Sequence, residues 1–315
     1  MIAPVLFIIY DQPDITERTF SIIRKIKPKV LYVSVDAPKH PSKIEECSAT
    51  IQKVRDSVDW DCLYKEKIYK ENQGSKKAIK KSVTWFLDEV GKGIILEYDC
   101  LPSESFFTFA SELLERYEHD KRIGTISGHN YQMGKIRGNK SYYFSRIPNA
   151  WGWATWLDRW QSWTDNPILI EEFLLEKRIL LLTTKTYERK FWEKSFELVK
   201  LKKDDTWGIP WVFSCFKEGY LTVVPNENLI SNIGFTENAT RAKPGSHQSI
   251  YANQKIGKLT TITHPNFILP DTHADSFFVD NLRNKEFFIT RLLKIFIKSA
   301  FGEKFATRMK KILTR

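Results

Sequence analysis

The chain has 315 residues, of which 42% are hydrophobic and 14% aromatic, so it is not a disordered protein and is long enough to bury a large core. Lysine and arginine outnumber aspartate and glutamate by 49 to 38, a net charge of +11. Residues 288–315 hold eight basic side chains and one acid, which leaves the rest of the chain near +4. A body so close to neutral argues against nucleic acid as the partner.

The cysteines and the N-terminus indicate a reducing compartment. The four cysteines are scattered, with no C-x-x-C pair and no spacing typical of a zinc site. Residues 1–10 are apolar but lack the basic start of a signal peptide and run directly into Asp11, so we interpret them as a first strand. No run reaches the roughly 18 apolar residues that span a bilayer. We therefore expect a cytoplasmic protein.

The first hundred residues alternate between strand and helix patterns. Strands are predicted at 4–10, 29–35, 61–68 and 94–96, and helices at 15–27, 42–57 and 75–89. This alternation is typical of a doubly wound α/β sheet, whose ligand crevice lies outside the carboxyl ends of the strands. Lys76 and Lys77 stand in the first turn of the third helix, where they favour a diphosphate cradle, although a solvated basic face predicts the same pattern.

The segment 94–102 ends a buried apolar run with acids at alternate positions. Residues 94–96 predict a buried strand, and Glu97, Tyr98 and Asp99 follow it. Alternate side chains of an extended segment point the same way, so both carboxylates would face one site. Hard oxygen ligands in this arrangement suit Mg²⁺ or Mn²⁺ carrying a diphosphate. The alternative is a pair of surface acids at a strand end, because short acidic motifs are common.

The second half predicts further helices and strands around an aromatic block. Five tryptophans lie between residues 151 and 163, and Gly152 separates Trp151 from Trp153. The rings form either a core cluster or walls that suit the face of a sugar. Asp205 precedes a buried helix, as either its N-cap or a catalytic base. Elements are predicted at 105–117 (helix), 123–127 (strand), 166–203 (helical), 211–215 (helix) and 220–225 (strand).

Four stretches, in the same order, resemble bacterial GT-A glycosyltransferases of the family 2 type, which are similar in motif order to N-acetylglucosaminyltransferase I. They are residues 4–13, 94–107, 141–156 and 205–235, within a match from about residue 3 to 240. The resemblance implies a GT-A fold, a Rossmann-like mixed sheet flanked by helices. It also implies a nucleotide-diphospho-sugar donor, with a UDP-sugar favoured, a Mn²⁺ or Mg²⁺ cofactor and inversion at the anomeric carbon.

The same resemblance implies roles for single residues. Asp99 matches the metal ligand, Glu97 a donor contact, Asp36 the acid that meets the nucleoside, and Asp11 and Gln12 the residues that bind base and phosphate. To these donor-binding residues we add Lys76, Lys77, Tyr98 and Trp153, with Asp205 as the catalytic base. Two departures matter: Tyr98 replaces the middle acid of the family's triplet, and Gly208 and Ile209 follow Trp207 where relatives carry the base.

The function expected is that of a metal-dependent inverting glycosyltransferase of the hexosyltransferase type. It would transfer sugar to a glycan or lipid-linked acceptor in surface polysaccharide synthesis. The alternative is a catalytically impaired GT-A domain that binds nucleotide or sugar without turnover, and the two departures motivate it. A nucleotidyltransferase is disfavoured, because Asp11, Gln12 and Pro13 stand where such enzymes carry a glycine-rich basic loop.

Three regions are predicted along the chain. Residues 1–240 form the GT-A domain, 241–280 a loop-rich extension and 281–315 a basic amphipathic C-terminal helix. In 288–315 apolar residues interleave with the eight basic ones, which is typical of a helix on an anionic membrane beside a lipid-linked acceptor. The alternative is an amphipathic helix packed on the body. The first interpretation predicts peripheral contact with the inner face of the plasma membrane.

Overall fold

A computed structural model describes residues 1–203, 205–236 and 247–282. The strands are β1 (Val5–Ile9), β2 (Val30–Val35), β3 (Leu63–Ile68), β4 (Lys92–Glu97), β5 (Cys100–Pro102), β6 (Ile123–Ser127), β7 (Tyr142–Ser145), β8 (Trp153–Trp156), β9 (Leu221–Pro225) and β10 (Ile230–Asn232). The helices are α1 (Pro13–Ile26), α2 (Ile44–Ser57), α3 (Gly74–Val90), α4 (Glu104–Arg116), α5 (Leu157–Trp160), α6 (Pro167–Leu175), α7 (Thr186–Lys200), α8 (Gly208–Glu218) and α9 (272–282).

The first half is a parallel sheet in the order β3-β2-β1-β4. Every residue of β1 is buried, as expected for a central strand covered by helices on both faces. The helix predicted for residues 75–89 is α3, and its Ile79, Val83 and Phe86 pack on this half. The predicted alternation of strand and helix is therefore confirmed.

The second half continues the same sheet with mixed strand directions. β8 runs antiparallel to both β4 and β6, β9 is parallel to β6, and β7 forms the edge antiparallel to β9. In the described part of the chain the order is β3-β2-β1-β4-β8-β6-β9-β7. The expected Rossmann-like mixed sheet flanked by helices is confirmed.

Besides the short strands β5 and β10, two strands of the main sheet, β7 and β8, have no counterpart in the sequence predictions. Both consist of four buried residues, Tyr-Tyr-Phe-Ser and Trp-Ala-Thr-Trp, so they lack the alternation of apolar and polar residues that marks a half-buried strand. The region predicted as helical from 166 to 203 is broken into α6 and α7 by a 3₁₀ turn, Arg178–Leu181.

The described C-terminal residues return to the body. Pro270 bridges to Phe144 beside the edge strand, and Val279 of α9 packs into the apolar cluster made by α6, α7 and α8. The proposed division at residues 240 and 280 stays a prediction. Of the predicted C-terminal helix, 281–315, all but residues 281 and 282 lies outside the described residues. Within the ranges that are described, no helix combines the length and apolarity required to cross a bilayer.

Candidate functional site

The carboxyl ends of β1, β2 and β4 meet at one edge of the sheet. Ile9 pairs with Val35, and Ile8 pairs with Glu97, so Asp11, Asp36 and Glu97 follow neighbouring strand ends. This is the edge at which open α/β sheets bind their ligands.

Asp99 occupies a tight turn that is held by the small sheet of β5 and β10. Cys100 pairs with Asn232, and the backbone N–H of Ile233 donates to the carbonyl of Asp99 over 2.8 Å. A Cβ atom built on Gly234 would lie only 2.4 Å from Oδ2 of Asp99, so only glycine fits beside this carboxylate. The 232–234 backbone therefore forms one wall of the Asp99 site.

Burial raises the pKa of Asp99, while hydrogen bonds from the Cys100 thiol and the Asn232 side chain oppose the shift. The thiol donor lies 3.5 Å from Oδ1. A cation at Asp99 would compensate the buried charge, and its ligand type suits Mg²⁺ or Mn²⁺.

The donor set at this turn fits a metal that arrives with its substrate. Among the described residues, no group of three or more His, Cys, Asp and Glu side chains could hold a metal ion. Mg²⁺ is usually held by one or two carboxylates together with waters and substrate phosphates, so a protein cage is not required. Glu97 and Asp99 provide such a partial set.

Gln12 and Tyr98, two predicted donor-binding residues, are in contact. The side-chain amide of Gln12 donates to the Tyr98 hydroxyl over 3.2 Å. The pKa of Tyr98 lies well above its usual value because the phenol is buried and because Asp99, Asp11 and Glu97 surround it with negative charge. The phenol is therefore neutral at physiological pH, and the surrounding carboxylates make this spot attractive to a cation.

Asp11 has one oxygen in use and one without a partner. Its side chain is 7% exposed, and Oδ2 forms an ion pair with Lys43 at 3.2 Å. Oδ1 is buried and accepts no hydrogen bond from the described residues. A buried acceptor of this kind is costly unless a donor meets it, so Oδ1 is suited to accept an N–H or O–H from a ligand.

Asp36 has all its acceptor positions filled by the chain itself. Oδ1 accepts the N–H groups of Ala37 and Gln73, and Oδ2 accepts those of Gly74 and the Asn72 side chain, over 2.9 to 3.2 Å. A carboxylate offers about four such positions. Asp36 thus fixes the N-terminus of α3 against β2, and its contact with a nucleoside stays a prediction.

The two lysines predicted to hold a diphosphate differ in their surroundings. Lys76 is largely buried and forms an ion pair with Asp165 at 2.6 Å. Lys77 is exposed and forms no ion pair with a described residue. Since Gln73 and Gly74 already donate to Asp36, the helix N-terminus has fewer N–H groups left for an anion.

Trp153 lies beneath the edge rather than on its surface. Its ring is 1% exposed and stacks on Trp207 at 5.4 Å, with Trp160 and Trp211 also against it. Asp205 is exposed two residues before Trp207, so this stack anchors the segment that carries Asp205. The donor role of Trp153 and the base role of Asp205 stay predictions.

Several residues of this edge had no signal of their own in the sequence. Lys43 contacts Asp11 from a position outside the matched stretches. Cys100 lies within the matched stretch 94–107, but no contact with Asp99 was predicted for it. Asn232 and Gly234 belong to the stretch matched by the resemblance, but their contact with Asp99 requires β10 to pair with β5, which the sequence does not reveal.

Comparison with known proteins finds likeness among solved structures. No family model matches the chain, and no curated protein matches it. A mannosyltransferase from Pyrobaculum calidifontis, solved with GDP-mannose and Mn²⁺, is 13% identical over all of this chain and 80% of its own, with a TM-score of 0.47.

Two further structures are similar over less of the chain. HddC from Yersinia pseudotuberculosis is 12% identical over 50% of this chain and 78% of its own, with a TM-score of 0.31. A 4-diphosphocytidyl-2C-methyl-D-erythritol synthase from Anaerococcus prevotii is 7% identical over 70% and 87%, with a TM-score of 0.34. At these identities and TM-scores the similar structures do not identify the reaction of this chain.

Proposed function

We propose that the chain is a metal-dependent inverting glycosyltransferase that moves a sugar from a nucleotide-diphospho-sugar to a hydroxyl of a glycan or lipid-linked acceptor. One observation carries the proposal: the acidic turn of Glu97, Tyr98 and Asp99 closes against Gln12 on one side and Asn232 and Gly234 on the other. The motif order of the resemblance and the position of the turn at the sheet edge support the same function.

The residues of the β1 side have the features required to bind the nucleoside diphosphate. The unpartnered Oδ1 of Asp11 would accept an N–H of the base or a ribose hydroxyl, and Gln12, held by Tyr98, would orient the phosphates. A divalent cation held by Asp99, with Glu97 beside it, would neutralise charge on the leaving diphosphate. Lys77, an exposed lysine in the first turn of α3, would add a positive charge beside the diphosphate.

Proton transfer is assigned to Asp205. Direct displacement at the anomeric carbon requires a base to take the proton of the attacking hydroxyl. The resemblance expects the base just after Trp207, where this chain has no acid, and Asp205 is the nearest acid to that position. The stack of Trp207 on Trp153 anchors its segment. Asp205→Asn is expected to lower kcat by about 10² to 10⁴ while the affinity for nucleoside diphosphate is kept.

The test is a donor screen that measures release of nucleoside diphosphate. UDP-, GDP- and dTDP-hexoses are each incubated with the protein, with and without Mn²⁺, and with Asp99→Asn and the exposed control Asp88→Asn. We expect release with one nucleotide class that requires the metal and Asp99 but not Asp88. Donor binding without release from any donor would favour the impaired domain instead. The absence of both donor binding and release would contradict the proposal.

A further inference from the structure

A cluster of aromatic rings lies next to the Asp99 site, on the side away from β1 and β2. His129 and Tyr251 are fully buried and Tyr131 is 8% exposed. Trp151 packs against His129 at 5.1 Å and Tyr131 at 5.2 Å. These contacts fix one side of the Trp151 ring, and the rest of the indole remains partly exposed.

Phe235 completes the cluster at its open side. Its ring lies 5.5 Å from that of Trp151 with a 70° angle between the planes, and it too is partly exposed. Two rings at this angle form a corner, and we call Trp151 and Phe235 the aromatic corner. The next tryptophan along the chain, Trp153, is 1% exposed and cannot contribute to such a surface.

The aromatic corner is tied closely to Asp99. Phe235 follows Gly234, whose Cβ position lies 2.4 Å from the Asp99 carboxylate, and adjacent Cα atoms are about 3.8 Å apart. On the other side, the Gly152 carbonyl accepts the N–H of Gly128 over 2.7 Å, which holds the backbone after Trp151. Phe235 of the aromatic corner is therefore the residue directly after the 232–234 backbone that forms one wall of the Asp99 site.

The order of the strands separates the corner from the nucleotide side. Asp11 and Asp36 follow β1 and β2, which lie on one side of β4, whereas Trp151 leads into β8 on the other side. A donor whose base meets Asp11 and whose diphosphate meets Asp99 therefore extends from the β1 side towards the corner.

We propose that Trp151 and Phe235 form the platform on which a sugar ring of the acceptor stacks. This inference rests on the proposed glycosyl transfer. The C–H face of a pyranose packs well on an aromatic face, whose negative quadrupole attracts the weakly positive C–H groups. The second ring of the corner limits how the sugar lies on the first, so the corner selects a saccharide acceptor over a simple alcohol or water.

The experiment compares transfer to a sugar with transfer to water. The donor that the protein hydrolyses is supplied with Mg²⁺ and a panel of methyl glycosides of glucose, galactose, mannose and N-acetylglucosamine. The variants are Trp151→Ala, Phe235→Leu and Trp151→Phe, which keeps a ring. Trp85→Ala is the matched control, because Trp85 is a partly exposed tryptophan on α3 outside the aromatic cluster.

We expect the KM for the glycoside to rise about 10-fold in Trp151→Ala and Phe235→Leu, with a smaller rise in Trp151→Phe. Donor hydrolysis and the thermal shift caused by nucleoside diphosphate should be unchanged in all of them, which also shows that each variant is folded. Saturation-transfer NMR should detect the C–H protons of the glycoside on the wild type and less strongly on Trp151→Ala.

An unchanged glycoside KM in both ring-removing variants would overturn the inference and leave the glycosyl transfer intact. The inference would also be overturned if the wild type hydrolyses the donor but no glycoside of the panel increases product release or binds in the NMR experiment. Absence of both hydrolysis and transfer with every donor would instead contradict the proposed function, and the inference with it.

Discussion

Asp36 and Asp99 follow β2 and β4, the two strands that flank β1 at the same edge of the sheet, yet the chain uses them differently. Burial raises the pKa of both carboxyls. Asp36 accepts hydrogen bonds from four N–H donors of the chain. Asp99 accepts from the Cys100 thiol, the Asn232 side chain and its own backbone N–H, and Gly234 lies against Oδ2.

The comparison shows that a carboxylate at a strand end does not by itself make a binding site. What decides is how many of its acceptor positions the protein fills. Asp36 positions a helix, and Asp99 keeps capacity for a ligand from outside the chain. Four predictions test this difference, beginning with the largest expected effect.

Replacing Asp99 should remove activity without a loss of stability. Asp99→Asn is expected to lower kcat/KM for transfer by more than about 10³, because the charge that would hold the metal is lost. The melting temperature should stay the same or rise, since a buried charged group becomes neutral. Steady-state kinetics and thermal unfolding measure the two effects, and a large fall in melting temperature would contradict the assignment.

Replacing Asp36 should instead lower stability more than activity. Asp36→Ala leaves the backbone N–H groups of Ala37, Gln73 and Gly74 and the Asn72 side-chain amide without this acceptor. The free energy of unfolding should therefore fall by about 3 kcal/mol. Asp14→Ala on the surface of α1 serves as the control with little change. Denaturant titration provides the measurement, and an unchanged stability of Asp36→Ala would break the comparison between the two acids.

A third buried carboxylate shows what burial alone does. Asp275 lies away from the candidate site, accepts hydrogen bonds from Ser145 and the Arg146 N–H, and burial raises its pKa to about 6. Because the folded state holds this proton more tightly than the unfolded state, stability should fall as the pH rises from about 4 to above 6.

Asp275→Asn should remove that loss. An amide can accept from the Arg146 N–H and donate to Ser145, so the variant should be more stable than the wild type by about 3 kcal/mol at pH 7.5. Below pH 5 the difference should shrink towards zero. Denaturant titrations of both proteins at pH 7.5 and below pH 5 measure this difference in unfolding free energy. A difference that does not change with pH would show that Asp275 does not titrate in this range.

The smallest effect concerns the contact between Gln12 and Tyr98. Tyr98→Phe and Gln12→Ala should each cost about 1 kcal/mol of unfolding free energy, as expected for one partly buried hydrogen bond. The double variant should cost less than the sum, because the two share one interaction. Strictly additive losses would show that the hydrogen bond does not contribute.

The sequence predicted the parallel half of the fold well because local patterns determine it. β1 and α3 carry their own signals, a buried apolar run and an apolar face of helical period. The strands β7 and β8 did not, since each has only four residues, Tyr-Tyr-Phe-Ser and Trp-Ala-Thr-Trp, with neither an alternation nor a mainly aliphatic run like that of β1. Their assignment depends on neighbours in the sheet, which local patterns do not contain.

For the site, the sequence identified acids but not their surroundings. Asp11, Asp36, Glu97 and Asp99 follow from strand ends and motif order. Three of the four donors on Asp36 come from residues 72–74 and depend on the start of α3 meeting β2. The wall of Gly234 depends on a strand pair about 130 residues apart in the chain. Such contacts arise only from tertiary packing, and they determine which acid is left for a ligand.

The most direct test is a thermal-shift measurement with UDP, GDP, dTDP and CMP, each with and without Mn²⁺, on the wild type, Asp99→Asn and Asp36→Asn. The account predicts a metal-dependent rise in melting temperature with one of these nucleotides. Asp99→Asn should abolish the rise, while Asp36→Asn, although less stable, should keep it. No rise with any nucleotide, or a rise that survives the loss of Asp99, would contradict a donor site at this turn.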